Sequence, residues 1–204
     1  MYVVFEVLFR EEAEELAERW WAERPERLDW LGAQLDLVPA AASMTQLWAA
    51  VLTWHRAGHS ITEATGPCPV WWNDEFDLDD LHVMADALSH LFSDEVLRRE
   101  PMARIELTHE PGTHVHNQLA IRVGRWALTP WAVPLSCVNA LRREAKPRDW
   151  FRSAKPEFLE TELQQMVSGL EPWKQELTAG GELKDDAPRA VELRGGDPRL
   201  MVRR

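Results

Sequence analysis

The chain has 204 residues, enough to bury one hydrophobic core without disulfides or metals. Hydrophobic residues make up 45% and charged residues 28% of it, so a chain that is disordered throughout is excluded. Two cysteines, Cys68 and Cys137, are too few for a disulfide framework or a cysteine-rich zinc site, and we expect free thiols in a reducing compartment.

The net charge of −11 is concentrated in the first half of the sequence. Residues 1–100 carry 20 acidic residues, 7 arginines and no lysine, a net charge of −13, whereas residues 101–204 carry 14 acidic and 16 basic residues, a net charge of +2. An acidic half repels the phosphates of nucleic acids and membranes and attracts basic proteins. We therefore expect a basic protein partner, no nucleic acid and no membrane, although acidity also serves solubility alone.

The first predicted element is a strand over residues 2–9, which are rich in Tyr, Val and Phe. This segment lacks the basic residues and the cleavage site of a signal peptide. No later segment is long and apolar enough for a membrane span, so the expected location is the cytoplasm.

Two helices are predicted next. Over residues 11–24, small and large apolar side chains recur at helical spacing and glutamates cover the other faces. Pro25 then suits the first turn of a second, short helix. The apolar positions of these two helices are Ala13, Leu16, Ala17, Trp20, Leu28, Leu31 and Leu35.

Two further helices carry N-terminal capping signals. Ser43 followed by Gln46 predicts a capping box, and Gly58 predicts the end of that helix. Asp77 or Asp79 is expected to cap the next one. The apolar faces are Met44, Leu47, Trp48, Val51 and Leu52, with His55 as a buried or capping residue, and then Leu81, Met84, Leu88, Leu91 and Phe92.

The pattern changes to period two after Pro101, which predicts strands within residues 103–133. A turn at 110–113 joins the first two strands, and an extended piece at 126–133 follows. Pro134 and Pro156 are each expected to start a helix. The predicted fold class is α+β, a small antiparallel sheet of the N-terminal strand plus the 103–133 strands, packed against several amphipathic helices.

We predict a single domain over 1–173. Residues 174–204 are then a polar linker and a C-terminal hairpin or tail, because the segments 190–194 and 199–202 flank a turn-forming Gly-Gly-Asp-Pro sequence. The hairpin and a disordered tail are equally weighted alternatives.

Three histidines supply the main candidate for a metal site. If residues 110–113 form a hairpin loop, His109 faces His114 across the strands, and His116 shares a face with His114. Three imidazoles could hold a divalent metal such as zinc, with Glu110 nearby as a base or ligand. An exposed polar hairpin tip explains the same residues, and the spacing matches no established metal motif.

Eleven tryptophans are an unusual number for a chain of this length. Neighbouring residues on a helix or strand point in different directions, so one member of each pair, Trp20–Trp21 and Trp71–Trp72, is expected nearer the surface. Exposed tryptophans beside carboxylates suit a protein interface. The candidate partner-binding residues are Trp71, Trp72, Asp74, Glu75, Asp77 and Asp79.

The leading hypothesis from the sequence is a non-enzymatic protein-binding module, in the form of an immunity-type inhibitor that neutralises a basic protein such as a toxin. This rests on an analogy of composition with small, acidic immunity proteins and antitoxins. No phosphate-binding loop, nucleophile elbow or HExxH motif is present, and no cofactor is expected. The alternatives are a metal-dependent enzyme or metal-binding protein using His109, His114 and His116, and a homo-oligomer with tryptophans at the subunit interface.

Overall fold

The computed structural model describes residues 10–58, 65–69, 78–108, 118–124, 126–141, 153–178, 190–192 and 200–203. The chain forms helices, then strands, then helices again, as predicted, and the α+β fold class with a small antiparallel sheet packed against helices is confirmed. The N-terminal strand predicted at residues 2–9 lies outside the described residues.

The first two helices follow the predicted pattern. Helix α1 (Arg10–Ala22) has glutamates in its first turn, where the positive end of the helix dipole stabilises them. Helix α2 (Arg24–Leu35) carries its proline in the first turn and ends at Asp36, whose backbone is left-handed. Trp20 is fully buried whereas Trp21 is half-buried, so the two neighbouring tryptophans do point differently.

Helix α3 (Met44–Arg56) begins with the predicted capping box. The Ser43 hydroxyl accepts from the backbone N–H of Gln46, and the Gln46 side chain accepts from the backbone N–H of Ser43. Gly58 follows with a positive φ of 77°, a conformation that glycine adopts without strain. The predicted apolar face of α3 is buried, and His55 is half-buried.

Helix α4 (Asp80–Arg99) is the longest in the described part of the chain and lies at the centre of the fold. Asp79 caps it by accepting from the backbone N–H of His82, as one of the two predicted alternatives. The residues from Asp80 to Ser93 are all buried, on every face of the helix. Burial therefore extends well beyond the apolar face that the sequence predicts.

The sheet is built around the predicted strands. Strands β1 (Arg104–Leu107) and β2 (Leu119–Val123) are antiparallel, with Ile105 opposite Ile121, and β3 (Trp126–Leu128) continues the meander. Strands β4 (Ala190–Glu192) and β5 (Leu200–Arg203) pair antiparallel, and β5 lies parallel to β1, which gives the order β3-β2-β1-β5-β4.

The extended piece predicted at 126–133 is too long. Strand β3 ends at Leu128, and helix α5 (Ala132–Asn139) begins before Pro134. The first four N–H groups of a helix have no partner within it, so a proline fits anywhere in the first turn and does not mark its first residue.

The last helices are α6 (Phe158–Gly169) and α7 (Glu171–Thr178). Helix α6 packs into the core through Leu159 and Leu163, and the buried Leu170 follows it. Because α7 runs to Thr178, the first residues of the predicted polar linker are helical. The partly buried Trp173 packs this helix against the core.

Candidate functional site

The residues predicted to bind a partner lie mostly outside the described part of the chain, which covers only Asp79 among them. Asp79 is 6% exposed, and its carboxylate also lies 2.8 Å from the His82 Nδ1. This carboxylate therefore serves the start of α4. The role of Trp71, Trp72, Asp74, Glu75, Asp77 and Asp79 in partner binding stays a prediction.

The predicted metal ligands His109, His114 and His116 also lie outside the described residues. Among the residues that are described, no group of three or more His, Cys, Asp or Glu side chains is arranged to hold a metal ion. The metal hypothesis stays a prediction.

A row of polar side chains on α4 was missed by the sequence analysis. His82, Asp86, His90 and Asp94 are spaced four residues apart, which places them along one side of the helix. We call these four residues the polar seam. The first three are buried, whereas the side chain of Asp94 is 41% exposed. The spacing of four residues is visible in the sequence and could have identified this row. A row of polar residues on a helix, however, normally indicates the side that faces solvent.

Two arginines of α2 pair with the seam. Arg27 and Asp86 are each 1% exposed, and the Arg27 Nε donates to Asp86 Oδ2. The Arg27 Nη2 lies 2.8 Å from Glu23 Oε2 and donates to the Cys68 carbonyl at 2.9 Å. Arg24 makes a two-pronged contact with Asp94, with 3.0 Å between Nη1 and Oδ1. Charge-assisted pairs of this kind fix the position of α2 along α4.

His90 connects α4 to α1 by aromatic contact. Its ring stacks on Trp20, with 4.0 Å between ring centroids, and meets Trp21 edge-on at 6.4 Å. Burial, with the nearby charges of Arg24 and Arg27, lowers the pKa of His90 well below its ordinary value of 6.5. The imidazole is therefore neutral at pH 7.

Several buried nitrogen atoms around the seam have no hydrogen-bond partner in the described structure. They are both ring nitrogens of His90, Nη1 of Arg27, and the indole nitrogens of Trp20, Trp21 and Trp30. A buried donor without a partner destabilises a fold by about 1–3 kcal/mol. Their concentration between α1, α2 and α4 sets this part of the core apart.

The segment 65–69 contacts the N-terminal end of α4 and Arg27 of α2. The backbone N–H of Thr65 donates to Asp80 Oδ1 at 2.7 Å, and the Cys68 carbonyl accepts from Arg27. A Cβ at Gly66 would lie 2.4 Å from Trp30 Cε2 and 2.6 Å from Val83 Cγ1, so only glycine allows this close approach.

The outer surface of α1 and α2 is strongly acidic. Arg19 is the one exposed basic residue among residues 11–36, and it lies 3.1 Å from Glu23. The exposed carboxylates in the same range are Glu11, Glu12, Glu15, Glu18, Glu26, Asp29 and Asp36. We call this set the acidic surface, and the helices that carry it are those held by the seam.

An exposed apolar turn adjoins the acidic surface. Val38, directly after α2, is 69% exposed. Its backbone is nevertheless fixed, because Leu37 donates to the Gly32 carbonyl at 3.2 Å and Ala41 donates to the Val38 carbonyl at 3.0 Å. A Cβ at Gly32 would lie 2.9 Å from the Leu37 carbonyl oxygen, so the turn folds back tightly on α2.

Comparisons with protein-family models, with curated proteins and with solved structures find no match to this chain. None of the helices in the described ranges has the combination of length and apolar character that a membrane span requires. The described residues therefore combine two features: the exposed carboxylates of the acidic surface, and the buried, neutral His90 beside the ion pairs of the polar seam.

Proposed function

We propose that the protein is a non-enzymatic binding module whose acidic surface recognises a basic partner protein. An immunity-type inhibitor that neutralises a basic toxin is the specific form of this proposal. The observation that carries it is the exposure of seven carboxylates among residues 11–36, where Arg19 is the one exposed basic residue.

The physical support is electrostatic. Exposed charges of one sign produce an electric field that accelerates encounter with an oppositely charged partner. Salt screens this field, and at 0.1 M ionic strength little of it remains beyond about 10 Å. Asp86 and Asp94 of the seam are neutralised by Arg27 and Arg24. The electric field therefore comes mainly from the exposed carboxylates of the acidic surface.

The turn at Val38 supplies an apolar contact beside the charges. The exposed Glu26 and Asp29 lie about one turn apart on α2, and the exposed Asp36 follows the helix immediately before this turn. A fixed apolar residue loses little conformational freedom on binding, which favours affinity. We propose that a partner with an apolar depression bordered by Lys or Arg binds here. Anchoring by Trp71 and Trp72 is a separate prediction from the sequence.

The partner can be identified by photo-crosslinking in the native host. A benzophenone amino acid replaces Ala22 or Ala33, which are exposed alanines on the two acidic helices. Gln165 on α6 is the matched control, since it is also exposed but lies away from the acidic surface. We expect a crosslink from positions 22 and 33, to a protein with an excess of Lys and Arg, and none from position 165.

Binding kinetics with the identified partner then test the mechanism. The double variant Glu15→Gln/Glu18→Gln removes two charges from the acidic surface, and Glu157→Gln/Glu171→Gln removes two exposed charges elsewhere. We expect the first to slow association several-fold at low salt with little change in dissociation, and the second to leave both rates unchanged. An acidic partner, or an association rate that is indifferent to salt, contradicts the proposal.

A further inference from the structure

The contact between His90 and the tryptophans of α1 has a property that the ion pairs of the seam lack. His90 is 1% exposed and its two ring nitrogens have no hydrogen-bond partner within the described structure. A neutral imidazole needs one donor and one acceptor partner, whereas a protonated one needs two acceptors and a counter-charge. Among the residues that the structure describes, none supplies these partners, and burial without them destabilises the protonated form more than the neutral form.

The charges around the ring oppose its protonation. Arg24 and Arg27 approach from α2, and both lower the pKa of His90. The carboxylates of Asp86 and Asp94 on α4 could compensate, but Arg27 and Arg24 already hold them. The Glu23 carboxylate is likewise engaged by Arg19 and Arg27, and α1 contacts the ring through the indoles of Trp20 and Trp21.

The elements joined at this point are the ones that carry the acidic surface. Helix α1 reaches the core through Ala13, Ala17 and Trp20, and Trp20 stacks directly on His90. A positive charge on His90 would have to displace an arginine from a carboxylate or move toward water. Either movement separates α4 from α1 and α2.

We propose that His90 and the two tryptophans form an acid-sensitive lock that holds α1 and α2 against α4, and that acidification below about pH 6.5 opens it. The consequence for partner binding rests on the function proposed above, because an open lock no longer presents the acidic surface in its docked arrangement. The acid sensitivity itself is a property of the isolated chain.

The direction of the pH effect follows from the two states of His90. The released histidine has a pKa of about 6.5, and that of the docked histidine is lower. Above pH 6.5 both states are neutral and the lock is at full strength. Below it the released state binds a proton that the docked state does not, so each further pH unit favours release by up to about tenfold.

Hydrogen exchange of the backbone amides of α1 measures the lock directly. In the wild-type chain we expect the protection of residues 13–22 to fall by about fivefold from pH 6.5 to pH 5.5, after correction for intrinsic exchange rates. His90→Phe keeps a ring on Trp20 and cannot be protonated, so its α1 protection should not change over this range. His55→Gln removes a half-buried histidine of α3 and should behave as the wild type.

Two results overturn the lock: α1 protection in the wild type that is independent of pH, or the same loss in His90→Phe. Should His90→Phe not fold, the ring of His90 can be followed by NMR in the wild-type chain. A ring that stays neutral to pH 5.5 while α1 is docked supports the lock, and a docked ring that is protonated at pH 6.5 overturns it. The failure of partner crosslinking would refute the proposed function alone.

Discussion

The two sides of the central helix α4 are held by different forces. Toward α2 and α1, α4 presents the polar seam, which contacts Arg24, Arg27 and the stacked Trp20. Toward α5 and α6, the core is apolar. It includes Leu135 and Val138 of α5 and Leu159 and Leu163 of α6, all buried. The polar connection between α4 and α6 lies at the end of α4, where Arg99 pairs with Glu160.

The two sides of α4 contribute differently to the stability of the fold and to the alignment of α2 on α4. Apolar contacts stabilise in proportion to buried area and tolerate small displacements, because they have no preferred direction. A buried ion pair adds little net stability, since removing both charges from water opposes their attraction. Its geometry nevertheless fixes one register of α2 on α4. The apolar side therefore supplies most of the stability, and the polar side sets where the acidic surface lies.

The largest effect is expected from breaking the buried ion pair on one side only. Arg27→Met removes the guanidinium that contacts the buried Asp86 carboxylate, and we expect the free energy of unfolding to fall by about 3–5 kcal/mol. Urea denaturation followed by circular dichroism measures this change. A loss below about 1 kcal/mol would show that the fold does not depend on this ion pair.

The double variant Arg27→Met/Asp86→Leu is the control for that experiment. It removes both charges, so we expect most of the lost stability to return. If alignment depends on the pair, crosslinking from position 33 should weaken in the double variant although its stability is restored. Unchanged crosslinking would show that the apolar contacts of α2 suffice for alignment.

On the apolar side of α4, a cavity is expected to cause a smaller loss of unfolding free energy. Leu163 is fully buried on α6, and Leu163→Ala should lower the free energy of unfolding by about 3 kcal/mol, through lost burial and the void left behind. The change should be the same at pH 7 and pH 6, since no charge is involved. A pH-dependent loss would contradict the separation between the two sides.

A side chain added at Gly66 is expected to lower the free energy of unfolding somewhat less than Leu163→Ala does. An added methyl group collides with Trp30 and Val83, so Gly66→Ala should destabilise by roughly 2 kcal/mol. Thermal unfolding measures it. Gly169→Ala is the control, because a Cβ there meets nothing within 4 Å.

The smallest effect is expected where α4 meets α6. Arg98, with Arg99, lowers the pKa of Glu95 to about 2, and Arg99 lowers that of Glu160. Arg99→Ala should lower the free energy of unfolding by roughly 1 kcal/mol at pH 7. A carboxylate whose pKa is lowered in the folded state stabilises the fold at pH values above its ordinary pKa of 4.5. The loss caused by Arg99→Ala should therefore shrink as the pH falls from 4.5 to 2. Denaturation at several pH values tests the trend.

Local patterns predicted most of the elements. The capping box at Ser43, the cap at Asp79 and the proline of α2 are short-range signals, and all three are confirmed. The start of α5 was missed because a proline is accepted throughout a first turn. The extent of α7 was missed because the polar composition of residues 174–178 resembles that of a linker.

The seam could not be predicted in the same way. Arg27 and Asp86 are 59 residues apart, and no local rule pairs them. Periodicity identifies the apolar side of α4, but whether the opposite side meets water or another helix depends on tertiary packing. The acidity of α1 is visible in the sequence, whereas its attachment through His90 and Trp20 is not.

The burial of α4 on all sides has a consequence for the order in which the chain assembles during synthesis. At about 30 Å, this helix contacts partners that precede it, α1 and α2, and partners that follow it, α5 and α6. Chains emerge from the ribosome N-terminus first. The pairing of α2 with α4 can therefore form while the apolar side of α4 is still uncovered. Until α5 and α6 are made, that side is exposed apolar surface of the kind that makes incomplete chains prone to aggregation.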